Sequence, residues 1–193
     1  MGAPIESKTS IAAGLSMRGV PWLMLLAWVS LPARADVASD IQAALTRGDA
    51  GAALARSAAA MQAPAPGPRV RFLHGVALLE SGRNAEAMSV FSALTQDYPQ
   101  LPEPYNNIAA LHARAGDWNQ ARQALETALR NDPGNRLARE NLGDVYLQLA
   151  IGAWREASVP ERTEAGLARK IRYATAIASQ IAAAGARMPS DGR

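Results

Sequence analysis

The sequence has no cysteine and few aromatic residues. Without cysteine, disulfide bonds cannot brace the fold. A bacterial lipoprotein is excluded as well, because its anchor requires a cysteine at the cleavage site. Aromatic residues make up only 5% of the chain, whereas alanine dominates an apolar fraction of 49%. Runs of β-branched residues of the kind that strands need are nearly absent, and alanine has the highest helix propensity. The composition therefore predicts an all-α fold held by close packing alone.

A clustered excess of positive charge is also lacking. The formal net charge is +3, but three of the 20 basic residues and only one of the 17 acidic residues lie in residues 1–35. The remainder of the chain is therefore close to neutral. A surface that binds nucleic-acid phosphates needs a concentrated basic patch. We therefore expect no nucleic-acid partner.

Residues 1–35 have the pattern of an export signal. Met17-Arg18-Gly19 is followed by the uncharged run VPWLMLLAWVSL and by Ala33-Arg34-Ala35, an Ala-x-Ala cleavage pattern. The uncharged stretch, residues 19–33, is shorter than the roughly 20 residues that span a bilayer as a helix. We therefore predict a signal peptide with cleavage between Ala35 and Asp36, and a periplasmic or secreted product without an integral membrane anchor. Translation can start at Met1 or at Met17.

The rest of the sequence repeats itself every 34 residues. The aligned columns are Gly48, Gly82 and Gly116; Ala53, Ala87 and Ala121; Phe91 and Leu125; and Pro99 and Pro133. Each glycine is expected to end the first helix of a hairpin, because a left-handed backbone conformation is cheap only without a β-carbon. The small residues let the two helices approach closely, and each proline stops the second helix.

This spacing resembles the tetratricopeptide repeat (TPR) family, and a weaker similarity connects it with exported bacterial TPR proteins. The best copy spans residues 102–135, with Tyr105, Ile108, Ala109, Ala121, Leu125, Ala128 and Pro133; the other copies span 68–101, 34–67 and, in part, 136–157. The resemblance implies an α-solenoid of helix hairpins. Because no glycine follows at position 150, the first helix of the partial repeat 136–157 is expected to continue through LAIGAWREA.

Residues 158–185 are predicted to form a C-terminal capping helix. Their apolar residues recur every three or four positions, at Leu167, Ile171, Ala174, Ala178 and Ile181, which makes one stripe along a helix. A solenoid leaves its last apolar face bare unless something covers it. Residues 186–193 are predicted to be a disordered tail.

Residues suited to catalysis are scarce. The two histidines, His74 and His112, lie within predicted first helices at packing positions, and no phosphate loop, nucleophile elbow or HExxH motif is present. Two histidines without a fixed carboxylate partner are an incomplete zinc set. We therefore predict a protein that is not an enzyme and that uses no metal or cofactor.

The TPR resemblance implies instead that ligands bind the concave face lined by the first helices. Its contact positions carry over to Arg69, Phe72, Asn106, Asn107, Arg114, Asn141, Asp144 and Gln148. Asn107 and Asn141 share one column, and an amide matches a peptide backbone because it both donates and accepts hydrogen bonds. Two alternatives stay open: these are ordinary solvated polar residues, or the protein is a structural subunit that uses its convex surface and leaves the groove idle.

The carboxylate clamp of chaperone-binding TPRs is not reproduced. Phe72, Val76, Leu137 and Asn141 stand in four of its five positions, and only Asn107 matches. Arg69 and Arg114 still favour an acidic ligand. The predicted function is a protein-interaction scaffold of the bacterial cell envelope that binds a peptide or protein partner. The sequence indicates neither the identity of this partner nor an oligomeric state.

Overall fold

A computed structural model describes residues 36–158 and 164–185 of the protein. The predicted signal peptide (residues 1–35) and the predicted tail (186–193) lie outside the described residues. Helices account for most of the described chain, which has no strand, and the predicted all-α fold is confirmed. The helices are α1 (Val37–Thr46), α2 (Ala50–Ala60), α3 (Pro68–Glu80), α4 (Asn84–Asp97), α5 (Pro102–Ala115), α6 (Trp118–Asn131), α7 (Arg136–Ala157) and α8 (Ala165–Gly185).

The first six helices form three hairpins with the same turn. Gly48, Gly82 and Gly116 have φ values of +72°, +75° and +82°, the left-handed conformation that the sequence predicts for them. In each turn the amide of the residue after the glycine donates to a carbonyl five residues back, as in Arg83 N to Leu78 O at 2.9 Å. This pattern is the Schellman closure of a helix. The glycine column therefore has one cause, the backbone geometry of the hairpin turn.

The long helix α7 replaces the first helix of a fourth hairpin. With no glycine at position 150 to end it, α7 continues to Ala157 and is 22 residues long, as predicted. Ser158 follows in an extended conformation as its C-cap, and the Ser158 amide donates to Arg155 O. Helix α8 begins at Ala165, whereas the sequence predicts a start at residue 158; residues 159–163 lie outside the described residues.

The hairpins are held together by pairs of large and small side chains at equivalent positions. A β-carbon placed on Gly75 would lie 2.6 Å from Cε1 of Phe91, so the Phe91 ring packs directly on the α3 backbone. One repeat later the pair is Ala109 and Leu125, which belong to one buried cluster. In both hairpins the second helix carries the large side chain, and the first helix carries the small residue that it packs against.

Helix α8 covers the outer side of α7. Ile151 of α7 is buried against Ala174 and Ala178, with Leu147 and Trp154 beside them. In the predicted stripe, these two alanines are buried, and Leu167, Ile171 and Ile181 are half-buried. The hydroxyl of Thr175 is buried without a hydrogen-bond partner among the described residues, which costs about 1–3 kcal/mol. The contact between α7 and α8 is thus apolar, but only two small side chains among those described for α8 are buried in it.

None of the described helices combines the length and the apolar character that crossing a bilayer requires.

Candidate functional site

Helices α5 and α7 are joined by a hydrogen bond between two asparagine side chains. Asn141 Nδ2 donates to Asn106 Oδ1 at 3.0 Å. Both side chains are half-buried, and both occupy ligand-contact positions that the TPR resemblance implies. We call the surface around this bond the α5–α7 groove, which consists of Asn106, Ala110, Asn141, Asp144 and Gln148. It brings together four of the eight predicted site residues.

An open cavity of about 280 Å³ lies beside the bond between the asparagines. Three successive polar side chains on α7, those of Asn141, Asp144 and Gln148, form its polar border. Its apolar lining comes from four helices and includes Ala109, Ala113, Leu125, Val145, Leu147, Ala178 and Ile181. The cavity therefore presents apolar surface and a carboxylate at one place.

Asp144 is the ionisable group of this cavity. Its side chain is half-buried, and this burial raises the pKa of the carboxyl above its ordinary value. The negative charge of Glu140, one turn earlier on α7, raises the pKa further. No ion pair with a described residue offsets either effect. The carboxylate of Asp144 is consequently in a site that a cation would stabilise.

The other four predicted site residues are placed elsewhere or bonded within their own helix. Asn107 Nδ2 donates to Glu103 O of its own helix at 3.0 Å, and Arg114 is exposed near the end of α5. Arg69 pairs with Asp36 at 3.2 Å. Phe72 is half-buried, with its ring centroid 5.8 Å from that of Phe91. The predicted row of Asn107 and Asn141 is therefore replaced by a direct pair of Asn106 and Asn141.

Sequence reasoning missed that α8 contributes to this site. Ala178, Ile181 and Ala182 line the cavity, so the C-terminal half of α8 forms one wall of the groove as well as covering α7. The apolar stripe of α8 includes Ala178 and Ile181, but a stripe says only that a helix face is covered. Trp118, at the start of α6, also lines the cavity without any signal in the repeat pattern.

A second, wider depression lies at the turn between α5 and α6. It has a volume of about 480 Å³ and is bordered by this turn and by the C-terminal half of α7, including Gly152 and Glu156. Gln148 lines both depressions. Gln148 thus marks the point where the α5–α7 groove continues toward the α5–α6 turn.

The two histidines make local contacts. His112 Nδ1 lies 3.7 Å from Asp117 Oδ2 across the hairpin turn. His74 Nδ1 lies 2.9 Å from the hydroxyl of Ser57, which is fully buried. Ser57 donates its only proton to Leu54 O at 3.0 Å, so its oxygen accepts from an Nδ1–H of His74. His74 therefore links α3 to α2, and it donates a hydrogen bond to the buried oxygen of the Ser57 hydroxyl.

Acidification is expected to destabilise the protein through His74. Burial lowers the pKa of the His74 imidazole below its ordinary value of 6.5, and Arg83 lowers it further, although Glu86 acts in the opposite direction. Between the lowered pKa and 6.5 the unfolded chain binds more protons than the folded protein, so stability falls as pH falls through this window. Thermal unfolding followed from about pH 8 to about pH 5 should show this loss. The variant His74→Leu should show a flatter profile, and an unchanged profile would contradict the assignment.

Within residues 36–158 and 164–185, no three histidine, cysteine or acidic side chains lie close enough together to hold a metal ion. The α5–α7 groove instead offers amide hydrogen bonds, one carboxylate and an apolar cavity. These are groups that bind a polypeptide segment through its backbone and side chains.

Known proteins of similar sequence and structure share this architecture. A family model described as tetratricopeptide repeat matches residues 40–102 and 107–157. The TPR repeat-containing protein YvcD of Bacillus subtilis (strain 168) is 38% identical over 65 residues, which are 34% of this chain and 13% of that protein. The chain thus spans only a small part of the length of this relative.

Two solved TPR structures have the same fold at low sequence identity. The Sgt2 TPR domain from Aspergillus fumigatus has a TM-score of 0.58 and 17% identity, covering 64% of this chain and 83% of that domain. The first TPR of Spaghetti (RPAP3), bound to the HSP90 peptide SRMEEVD, has a TM-score of 0.55 and 18% identity, covering 59% of this chain and 90% of that domain. The family model covers more than half of the sequence, and the glycine turns recur with one geometry. The protein therefore belongs to the tetratricopeptide repeat family.

Proposed function

We propose that the protein is a non-enzymatic interaction scaffold that binds a peptide or protein segment in the α5–α7 groove. TPR domains are protein-interaction modules, and the bond between Asn106 and Asn141 is the observation that carries the proposal. This bond uses one donor of Asn141 and one acceptor site of Asn106. The Nδ2 of Asn106 and the Oδ1 of Asn141 have no other partner among the described residues. A donor and an acceptor in adjacent repeats match the two polar groups of a peptide unit.

Site-specific photocrosslinking tests where the partner binds. A photoreactive amino acid at Ala110, inside the groove, is expected to capture a recurring partner in cells. The same amino acid at Gln123, an exposed position on α6, serves as the control and should not capture it. Capture at Gln123 with none at Ala110 would place the partner on the outer surface and contradict the groove.

Removing the asparagine amides should weaken binding of the captured partner. In the variant Asn106→Ala with Asn141→Ala, the loss of one or two hydrogen bonds is expected to lower affinity about threefold to tenfold. The stability of the protein should change little, because both side chains are only half-buried. The control is Asn84→Ala, which removes an exposed amide on α4. An unchanged affinity in the double variant would contradict the proposed contact.

The cell envelope is the proposed location of this interaction. The support is the pattern of a basic start, an apolar run and an Ala-x-Ala exit in residues 17–35. Fractionation of the native cells should place the mature protein in the periplasm or the medium, and amino-terminal sequencing should begin at Asp36. A cytoplasmic protein that retains residues 17–35 would contradict this location.

A structural role in a larger complex is the second candidate, and the outer face of α8 favours it. Tyr173 is 60% exposed and Ile177 is 50% exposed, and their spacing of four residues places them side by side on the helix. Arg169 and Arg172 are exposed next to them, and the Arg172 guanidinium lies over the Tyr173 ring. A complex that Arg169→Glu disrupts while groove crosslinking persists would support this role over the first.

A further inference from the structure

We propose that the α5–α7 groove binds a basic segment, in which an aliphatic side chain fills the cavity and a neighbouring Arg or Lys pairs with Asp144. This inference rests on the proposed function, because it specifies the chemistry of the segment that the groove takes. It is carried by three features of the groove: the size of the cavity, the balance of charge around it and the absence of the cations that an acidic ligand needs.

The cavity has the size of a side-chain pocket. Its volume of about 280 Å³ falls just below the range of roughly 300–1,000 Å³ that is usual for whole small-molecule ligands. The lining on α5 and α8 is aliphatic, with Ala113, Ala178 and Ile181. An aliphatic side chain would bury itself there, and it would replace water against apolar walls.

Acidic residues lie on both helices of the groove. On α7 these are Glu140 and Asp144, and on α5 the exposed Glu103 lies one turn before Asn106. Arg114 is exposed on α5, and no described carboxylate lies within ion-pair distance of it. On α6, Arg122 is paired with Glu126 at 2.7 Å.

The basic residues of α8 do not neutralise this end of the groove. Lys170 lies over the ring of Trp154, toward the C-terminal end of α7, whereas Asp144 lies near its middle. Arg172 lies over Tyr173 on the outer face. Burial and Glu140 together raise the pKa of Asp144, so the carboxylate gains from any cation that approaches it. Charge complementarity thus selects a basic partner.

The groove also lacks the means to hold an acidic segment. Of the two arginines that favour an acidic ligand in the sequence, Arg69 is paired with Asp36. Phe72 stands at a position where a clamp needs a cation, and its half-buried ring packs against Phe91. An acidic peptide would therefore meet Glu140 and Asp144, and neither Arg69 nor a cation at position 72 would offset their charge.

Three end-blocked synthetic peptides test the proposal on the purified protein. One alternates leucine with arginine, the second alternates leucine with glutamate, and the third alternates serine with arginine. Amide chemical shifts are followed by NMR during titration. The leucine–arginine peptide is expected to bind tightest and to shift the amides of Ala110, Asp144 and Ile181. The serine–arginine peptide should bind more weakly because it lacks the aliphatic anchor, and the leucine–glutamate peptide should not bind the groove.

Two variants separate the charge from the cavity. Asp144→Asn should weaken binding of the leucine–arginine peptide about threefold to tenfold. The control Asp40→Asn, which removes an exposed carboxylate on α1 that lines neither depression, should leave affinity unchanged. Ala182→Leu extends a side chain from the α8 wall into the cavity, and we expect affinity about tenfold lower with an unchanged helical circular dichroism spectrum.

The outcomes distinguish this inference from the proposed function. If the arginine and glutamate peptides bind the groove equally and Asp144→Asn changes nothing, the basic segment is wrong and the peptide-binding groove remains. If neither the leucine–arginine nor the leucine–glutamate peptide binds, and the captured cellular partner does not contact the groove either, then the basic segment and the peptide-binding groove are both wrong. Concentration-dependent shifts of the cavity amides without peptide would make a second copy of the chain the occupant. Shifts caused by removing residues 186–193 would make the chain's own end the occupant. Either result overturns the proposal.

Discussion

Replacing Phe91 with alanine is expected to lower the free energy of unfolding by about 3–5 kcal/mol, the usual cost of deleting a fully buried aromatic side chain. Phe91 is completely buried, and its ring lies on the backbone of Gly75 and against Phe72. The alanine variant leaves a cavity between α3 and α4, where neither Gly75 nor the ordered α3 backbone can fill it. Urea unfolding followed by the helical circular dichroism signal measures the change.

A double variant provides the matched control for this contact. Gly75→Ala alone places a β-carbon within 2.7 Å of two ring atoms of Phe91, and such overpacking costs about 1–3 kcal/mol, offset in part by the better helix propensity of alanine. Phe91→Leu alone removes ring contacts. Together the two changes recreate the pair of Ala109 and Leu125 that the next repeat uses. The double variant should be more stable than the sum of the single effects implies, by about 0.5–3 kcal/mol. Strict additivity would contradict the packing described here.

Replacing Ile151 with alanine is expected to release α8. Ile151 is 2% exposed and is the largest fully buried side chain in the seam between α7 and α8. The buried α8 residues of this seam are Ala174 and Ala178, the larger apolar residues of α8 are at most half-buried, and the Thr175 hydroxyl lacks a described partner. The expected cost is about 2–4 kcal/mol. Because a solenoid unfolds by units, the loss should be local to its C-terminal end.

Hydrogen exchange measures this release residue by residue. In Ile151→Ala, the amides of α8 should lose protection, while those of α3 and α4 keep theirs. The control Ile177→Ala truncates a half-exposed side chain on the outer face of α8 and should change stability by less than about 0.5 kcal/mol. Equal loss of protection throughout the chain would show that α8 unfolds only with the rest of the molecule.

The release of α8 also bears on binding. Ala178, Ile181 and Ala182 form one wall of the cavity, so a detached α8 would leave the aliphatic part of a ligand partly exposed to water. The stability of the last helix and the affinity of the groove are therefore coupled. Their coupling arises because one helix both covers the end of the solenoid and encloses the site.

The hairpin architecture follows from sequence-local causes, and it was predictable for that reason. Gly48, Gly82 and Gly116 adopt a positive φ that other residues resist. This preference does not depend on which other helices lie nearby. The continuation of α7 past residue 150 has the same kind of cause, the lack of such a glycine. Repetition then makes each local assignment reinforce the next.

The candidate site was predictable only in part, because it depends on which helix faces meet. Position in the repeat singled out Asn141, Asp144 and Gln148, and these three residues line the cavity. It did not indicate that Asn141 would bond Asn106 rather than align with Asn107.

The sequence by itself determined the repeat, the turns and the all-α fold, since spacing and backbone preference act over a few residues. The tertiary structure alone decided that Phe72 packs inward and that His74 meets Ser57. It also decided that α8 walls the groove. These contacts join residues on different helices, and their geometry is set by how side-chain volumes fill the space between those helices. No periodicity within one helix encodes that fit.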